Sequence, residues 1–206
     1  MYPPGVDVDL VAICNGGAPP SEITTMLGML PFRFFPREND DGWDIGGFQA
    51  LARTVKSDMM VCLGESVYFW KPDWLKPMVE AWKKYGHGMY GFFSSFLVRP
   101  HLNTTGFCTD PRFLLGFPIV NNHPDRYNFE HGRTSFWKRM QMFGKPTKLV
   151  TSTGVYDPNQ WRYPDNIMWR GDQSNCLIRC NHMDRYDAAP DDTKQNWGGA
   201  ADGLRK

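Results

Sequence analysis

The fold class the sequence predicts is α/β: a mainly parallel sheet flanked by helices in a single domain. Three observations point there. Strand-like apolar runs and helical patterns alternate through the first half of the chain. The run at 59–63 (MMVCL) shows no apolar/polar alternation, which marks a strand covered on both faces. Polar residues collect in the loops, and sheets of this class bind ligands at the carboxyl ends of their strands.

Each element follows from its own residues. Asp9–Asn15 (DLVAICN) is a short apolar run closed by Asn-Gly-Gly, a buried strand entering a loop. Ser21 is placed to cap a helix reaching Leu30, with Pro19-Pro20 ahead of it. Phe32–Phe35 reads as a second strand stopped by Pro36, and 37–43 (RENDDGW) as a polar turn. Asp44 is positioned to cap the next helix, in which Ile45, Phe48, Leu51 and Val55 share a face. Met59–Leu63 is the third strand and ends at a Gly64-Glu65-Ser66 corner. Asp73 is the expected cap of a helix to Tyr85, with Trp74, Leu75, Met78, Val79 and Trp82 inward. Gly88–Phe96 is strand-like, and a turn-rich stretch follows. Arg126–Phe143 is the longest helical candidate, weakened by Gly132. Lys148–Ser152 is another strand, and 168–186 reads as a short helix and an exit strand. Residues 1–186 therefore form the domain. The polar, Gly- and Ala-rich 187–206 is expected as a flexible tail, or as a flap that orders over a ligand.

Composition excludes several classes. The chain has 206 residues, 41% of them apolar, which suffices for a core, and a net charge of +1. That balance calls for neither nucleic acid nor an anionic membrane as partner. No apolar run approaches the roughly 20 residues of a membrane helix. Met1–Gly5 is not a charged segment leading into an apolar one, so no leader is expected. Five scattered cysteines suggest reduced thiols and a cytoplasmic location. Oligomeric state is not encoded in any pattern. Phosphate-loop, dinucleotide and nucleophile-elbow motifs are missing. Cys176, Cys180 and His182 have poor spacing for tetrahedral zinc.

What remains is an ordered set of loops. A strand ends in Asn15-Gly16-Gly17, an Arg-Glu-Asn turn precedes a helix opening Asp44-Ile45-Gly46-Gly47, and the third strand ends at 64–66 before Pro72-Asp73-Trp74-Leu75. Later come Thr104-Thr105-Gly106-Phe107, Phe129-Glu130-His131-Gly132 and Gly171-Asp172-Gln173-Ser174. In this order the residues resemble the GT-A glycosyltransferases, nearest the large inverting group called family two, over residues 8–186. The later motifs are similar to those of a subgroup of small putative glycosyltransferases. The resemblance implies a GT-A-like, Rossmann-like sheet and transfer of a sugar from a nucleotide-diphosphate donor to a glycan or other hydroxyl acceptor, with inversion. It also implies Mn²⁺ or Mg²⁺ at the corner after the third strand. Two departures stand out. The family's opening strand should precede DLVAICN, where only eight residues stand, so either the start is shortened or the base pocket is built differently. The corner has Gly64 and Ser66 where the family carries aspartates. Glu65 remains as one carboxylate for a metal, and His182, after the exit strand, as a second ligand. Without a metal, Arg, Lys or helix N-termini must hold the diphosphate.

The resemblance implies Glu130 as general base, removing the acceptor's proton, with Asp172 as second choice. Each has a structural alternative: Glu130 a salt bridge to Arg126 or Arg133, Asp172 a helix cap. Asn15, Asn39 and Asp44, with Gly64, Glu65 and Ser66, fit donor binding, though turn and cap chemistry explains the same residues. His101, Asn103 and Thr104 fit the donor-sugar or acceptor side, or a polar loop. Trp43, Trp70, Trp74, Trp161 and Trp169 invite sugar stacking, with Trp74 core by its helical phase and packing the safer reading for the rest. A rival reading is a non-catalytic carbohydrate- or nucleotide-binding module that retained the fold.

Overall fold

Apolar runs without alternation end up at the centre of the molecule. A computed structural model describes residues 2–19, 21–27, 32–96, 99–162, 169, 171 and 173–201. The elements in chain order are β1 (Leu10–Asn15), α1 (Ser21–Leu27), β2 (Phe32–Arg37), α2 (Trp43–Ala52), β3 (Met60–Leu63), β4 (Val67–Tyr68) and α3 (Lys76–Tyr85). Then come β5 (Met89–Gly91), β6 (Ser94–Ser95), β7 (His101–Leu102), β8 (Gly106–Thr109), α4 (Pro111–Leu115), α5 (His123–His131) and α6 (Phe136–Met142). β9 (Thr147–Val150), β10 (Val155–Tyr156), β11 (Arg179–Cys180), α7 (Asn181–Asp187) and α8 (Asp191–Ala201) complete the chain.

The main sheet has five strands in the order β10-β9-β5-β8-β3. Its strands alternate between two cores, as a pleat requires. Met60, Cys62, Met89, Phe107 and Leu149 face one core, which Ile45, Phe48 and Leu51 of α2 cover together with Phe129 and Phe136. Tyr90, Cys108 and Val150 face the other, under Met78, Ala81 and Trp82 of α3. The result is a mixed α/β architecture of helices on both faces of a sheet.

The expected mainly parallel sheet is corrected here. Only β5–β9 is parallel in the main sheet; β3–β8, β5–β8 and β9–β10 are antiparallel. Connection length is the reason. A parallel neighbour needs a crossover of a dozen or more residues, usually a helix. Between β5 and β8 runs only the β6–β7 hairpin, and β9 turns directly into β10. β5 and β9 have α4, α5 and α6 between them. β1 and β2 pair in parallel through α1, in a separate two-stranded sheet.

Several element boundaries also shift. β2 runs through Pro36 to Arg37, because β2 has β1 as a partner on one side alone, and an edge strand tolerates a missing N–H. Asp44 does not cap α2: the helix opens at Trp43 behind Gly42, which adopts φ 71°. Asp73 does not cap α3 either. It takes φ 56°, and α3 starts at Lys76. The long helix expected from Arg126 splits at Gly132 into α5 and α6, letting Phe129 and Phe136 stack at 4.8 Å. The stretch expected as a tail carries α8, whose Trp197 packs against Trp169 at 5.1 Å.

Candidate functional site

A cavity of about 1510 Å³ lies between the two sheets. Consecutive residues of β1 (Val11, Ala12, Ile13) and of β3 (Met60, Val61) line it. Neighbours in a strand point to opposite faces, so a cavity that touches both meets the strand's edge. No ladder joins β1 to β3 among the described residues. Phe48 and Leu51 of α2 wall one side, Trp74 and Leu75 ahead of α3 the other, so the barrel of the cavity is apolar.

The mouth is polar. Asn15 is the last residue of β1, and Gly64, Glu65 and Ser66 form the turn after β3; all four line the cavity, with Asp44 and His182. Six residues chosen from four separate stretches of sequence thus line one cavity. Strand ends explain this convergence, since both β1 and β3 run out at the same cavity.

One guanidinium organises the β1 side. Arg37 Nη1 donates to Asn15 Oδ1 at 2.6 Å, and Nη2 donates to the Asp41 carbonyl at 2.9 Å and to Asn39 Oδ1 at 3.4 Å. Asn15 Nδ2 in turn donates to the Trp43 carbonyl at 3.3 Å. Asn39 belongs to this turn but does not line the cavity. Gly47 stands beside the cluster, where an added Cβ would lie 3.5 Å from both Asn15 Oδ1 and Arg37 Nη1. Asp44 Oδ1 accepts from Arg126 Nε at 3.1 Å, which carries the α2 start onto α5. Trp43 is 41% exposed at this mouth, with His123 edge-on at 6.0 Å. Its flat apolar face next to Asn15 suits stacking. Trp74 and Trp161 are core, as their 4% and 0% exposures show.

Glu130 does not line the cavity; it sits in a buried polar cluster, close enough to act on the charges of Arg126 and His182, which do line it. Its Oε1 accepts from the Thr104 N–H at 3.0 Å and from the Thr104 hydroxyl at 3.1 Å. His101 Nε2 stands 3.5 Å from Oε1 and His131 Nε2 3.4 Å from Oε2. Burial pushes a carboxyl upward, but the His101 hydrogen bond and charge, the Thr104 N–H and His131 outweigh it and hold Glu130 at about 2. A base works best with a pKa near the working pH, so this carboxylate is poorly suited to taking a proton. His101 and Thr104 pack around Glu130, not on the cavity, and Asn103 Oδ1 caps the turn by accepting from the Thr105 N–H at 2.8 Å.

Glu65 is exposed and His182 half-buried, and both line the mouth. They offer one carboxylate and one imidazole to Mn²⁺ or Mg²⁺, whose other positions a diphosphate and water would take. His182 Nδ1 is buried without a hydrogen-bond partner, and burial, then Arg185, lowers the pKa of the ring, so it is neutral and able to ligate. Asp172 lies outside the described residues. All five cysteines are free thiols. Arg37 and His131 are not singled out as site residues by the sequence, although each sits inside a motif that is; Arg126, expected as a salt-bridge partner of Glu130, pairs with Asp44 instead. No family model, no curated protein and no solved structure matches this chain.

Proposed function

We propose that the chain is a GT-A-like glycosyltransferase that moves a sugar from a nucleotide-diphosphate donor to a hydroxyl acceptor. One observation carries the reading: Asn15, Asp44, Gly64, Glu65, Ser66 and His182, expected at a donor or metal site, line one cavity. In this reading Trp43 stacks on the base or the sugar and the Arg37-held Asn15 amide hydrogen-bonds it. Glu65 and His182 hold the metal that neutralises the diphosphate leaving group. The reaction takes place in the cytoplasm. No helix among the described residues is long and apolar enough to cross a membrane, which agrees with a donor met in water.

The second reading, a non-catalytic nucleotide- or sugar-binding module, is favoured by a specific observation. The carboxylate expected as base is held at about 2 and does not line the cavity. Both readings require donor binding and only one requires turnover. The test is thermal unfolding with UDP, GDP, dTDP or CMP, each with Mn²⁺ and with EDTA. A nucleotide at about 100 times its Kd adds about 2.7 kcal/mol to the folded state. For a chain of this size that raises Tm by roughly 5–11 °C. One nucleotide is expected to give this shift, larger with Mn²⁺, and Trp43→Ala to remove most of it. Release of nucleoside diphosphate from the matching sugar nucleotide then separates transferase from binding module. A flat response to every nucleotide sinks both.

A further inference from the structure

We propose that His101, Glu130 and His131 form a binding site for a divalent transition-metal ion of the zinc class, separate from the Glu65–His182 mouth. One ligand atom from each of the three lies within 4.8 Å of the others. The site is assembled from two elements: His101 opens β7, and Glu130 and His131 close α5. All three are largely enclosed, with side-chain exposures of 2%, 14% and 14%.

Hydrogen-bond directions make the case. His101 Nδ1 lies 2.7 Å from the Arg99 carbonyl oxygen, which can only accept. Nδ1 therefore carries a proton, which leaves Nε2 to face Glu130 Oε1, 3.5 Å away. A lone pair and a carboxylate oxygen repel unless a cation, either a proton or a metal, stands between them. An N–H···O bond is usually about 2.9–3.0 Å long. Two ligand atoms bound to one zinc at about 2.0–2.2 Å, in tetrahedral directions, are roughly 3.3–3.5 Å apart. His101 Nε2 stands 3.5 Å from Oε1 and His131 Nε2 3.4 Å from Oε2, so each carboxylate oxygen faces one imidazole, and one ligand atom from each residue lies within 4.8 Å of the others.

The surroundings suit metal ligands. The Arg99 carbonyl fixes the tautomer and tilt of His101, and the Thr104 N–H and hydroxyl fix Glu130. His131 keeps its Nδ1 buried with no hydrogen-bond partner. Two imidazoles and one carboxylate suit Zn²⁺, or Fe²⁺ and Mn²⁺ more weakly, and leave a position for water. Arg126, one turn before Glu130 on α5, is already paired with Asp44. The inference does not depend on sugar transfer.

The test uses the full chain, stripped with EDTA, dialysed and titrated with Zn²⁺ by calorimetry, with metal content read by elemental analysis. Binding of one equivalent with a rise in Tm is expected, and Co²⁺ in its place should give visible d–d absorption. His101→Ala and His131→Ala should each weaken binding by roughly 100-fold or more. His87→Ala, a histidine outside both groups, should leave it unchanged. Should either alanine variant fail to fold, His101→Asn and His131→Asn provide the same comparison at closer shape. The proposal is overturned if folded wild-type protein takes up no stoichiometric Zn²⁺. It is equally overturned if uptake survives loss of both His101 and His131 or disappears with His87→Ala.

Discussion

Asp110 carries a role that no motif announces. Its side chain is 1% exposed, caps α4 by accepting the Arg112 N–H at 2.9 Å, and also accepts from Arg112 Nε at 2.9 Å. His87 Nδ1 approaches the other oxygen at 2.7 Å. Burial pushes the carboxyl up, but the Arg112 and His87 hydrogen bonds and the Arg112 charge pull harder and leave it at about 2. A group depressed in this way stabilises the folded state above its ordinary carboxyl pKa of about 3.9 and loses that contribution as pH falls toward 2. Asp110→Asn is therefore expected to destabilise the chain by about 2 kcal/mol at pH 7. The difference from wild type should shrink between about pH 4 and pH 2. Denaturant melts at pH 7, 4 and 2.5 measure this, and an equal difference at all three values would refute the assignment. Glu130 is held at a similar pKa by histidines and a threonine instead of an arginine, which is why a proton-accepting role does not suit it.

At the scale of elements, α2 shows how a helix is placed by glycines. Gly42 adopts φ 71°, and an added Cβ there would meet the Val120 carbonyl at 1.8 Å. Gly46 has ordinary φ, but its Cβ would fall 2.2 Å from the Asp41 carbonyl and 3.1 Å from that of Val120. Neither contact is with a flexible side chain, so the backbone itself must move. Gly46→Ala gains helix propensity on paper, by about 1 kcal/mol. Overpacking against fixed backbone costs more, and a net loss of about 3 kcal/mol is expected. That is a fall in Tm of roughly 6–12 °C, read by thermal unfolding. Because α2 carries Asp44 and Trp43, the same variant should also weaken whatever binds at the mouth. An unchanged Tm would mean that α2 is not pinned at Val120. This element also shows what was legible. The i, i+3, i+6 apolar spacing of Ile45, Phe48 and Leu51 disclosed α2 and its buried face. The Gly-Gly pair gave no hint that Asp44 would be bypassed as cap, because the close approach of Val120 comes from far downstream in the chain. Likewise Asn15, 64–66 and His182 could be grouped because each follows a strand, while the pairing of Glu130 with His101 crosses from α5 to β7 and leaves no periodic trace.

At the scale of the whole molecule, the described strands fall into four hydrogen-bonded sheets, of which the five-stranded sheet and the β1–β2 pair border the cavity. β8 and β5 have a partner on each side, so their amides are locked from both edges. β1 pairs with β2 alone, and its other edge, like that of β3, opens on the cavity. Apolar periodicity could not reveal this, because strand direction and sheet membership depend on connection lengths and distant partners. Opening a local unit exposes only what that unit buries, and α2 with its Phe48 and Leu51 is the main cover shared across the gap. Hydrogen exchange should therefore fall into two classes. Amides of β5 and β8 are expected to exchange only with global unfolding, and those of β1 and β2 through a smaller opening that leaves the main sheet closed. In low denaturant the β1–β2 amides should show a lower exchange free energy with a shallow dependence on denaturant, the β5–β8 amides a higher one with a steep dependence. A compound that fills the apolar barrel between β1 and β3 would draw the two classes together, since it couples the units that the missing ladder leaves separate. Equal protection and equal denaturant dependence in the free protein would show instead that packing through α2 alone makes the two sheets one cooperative body.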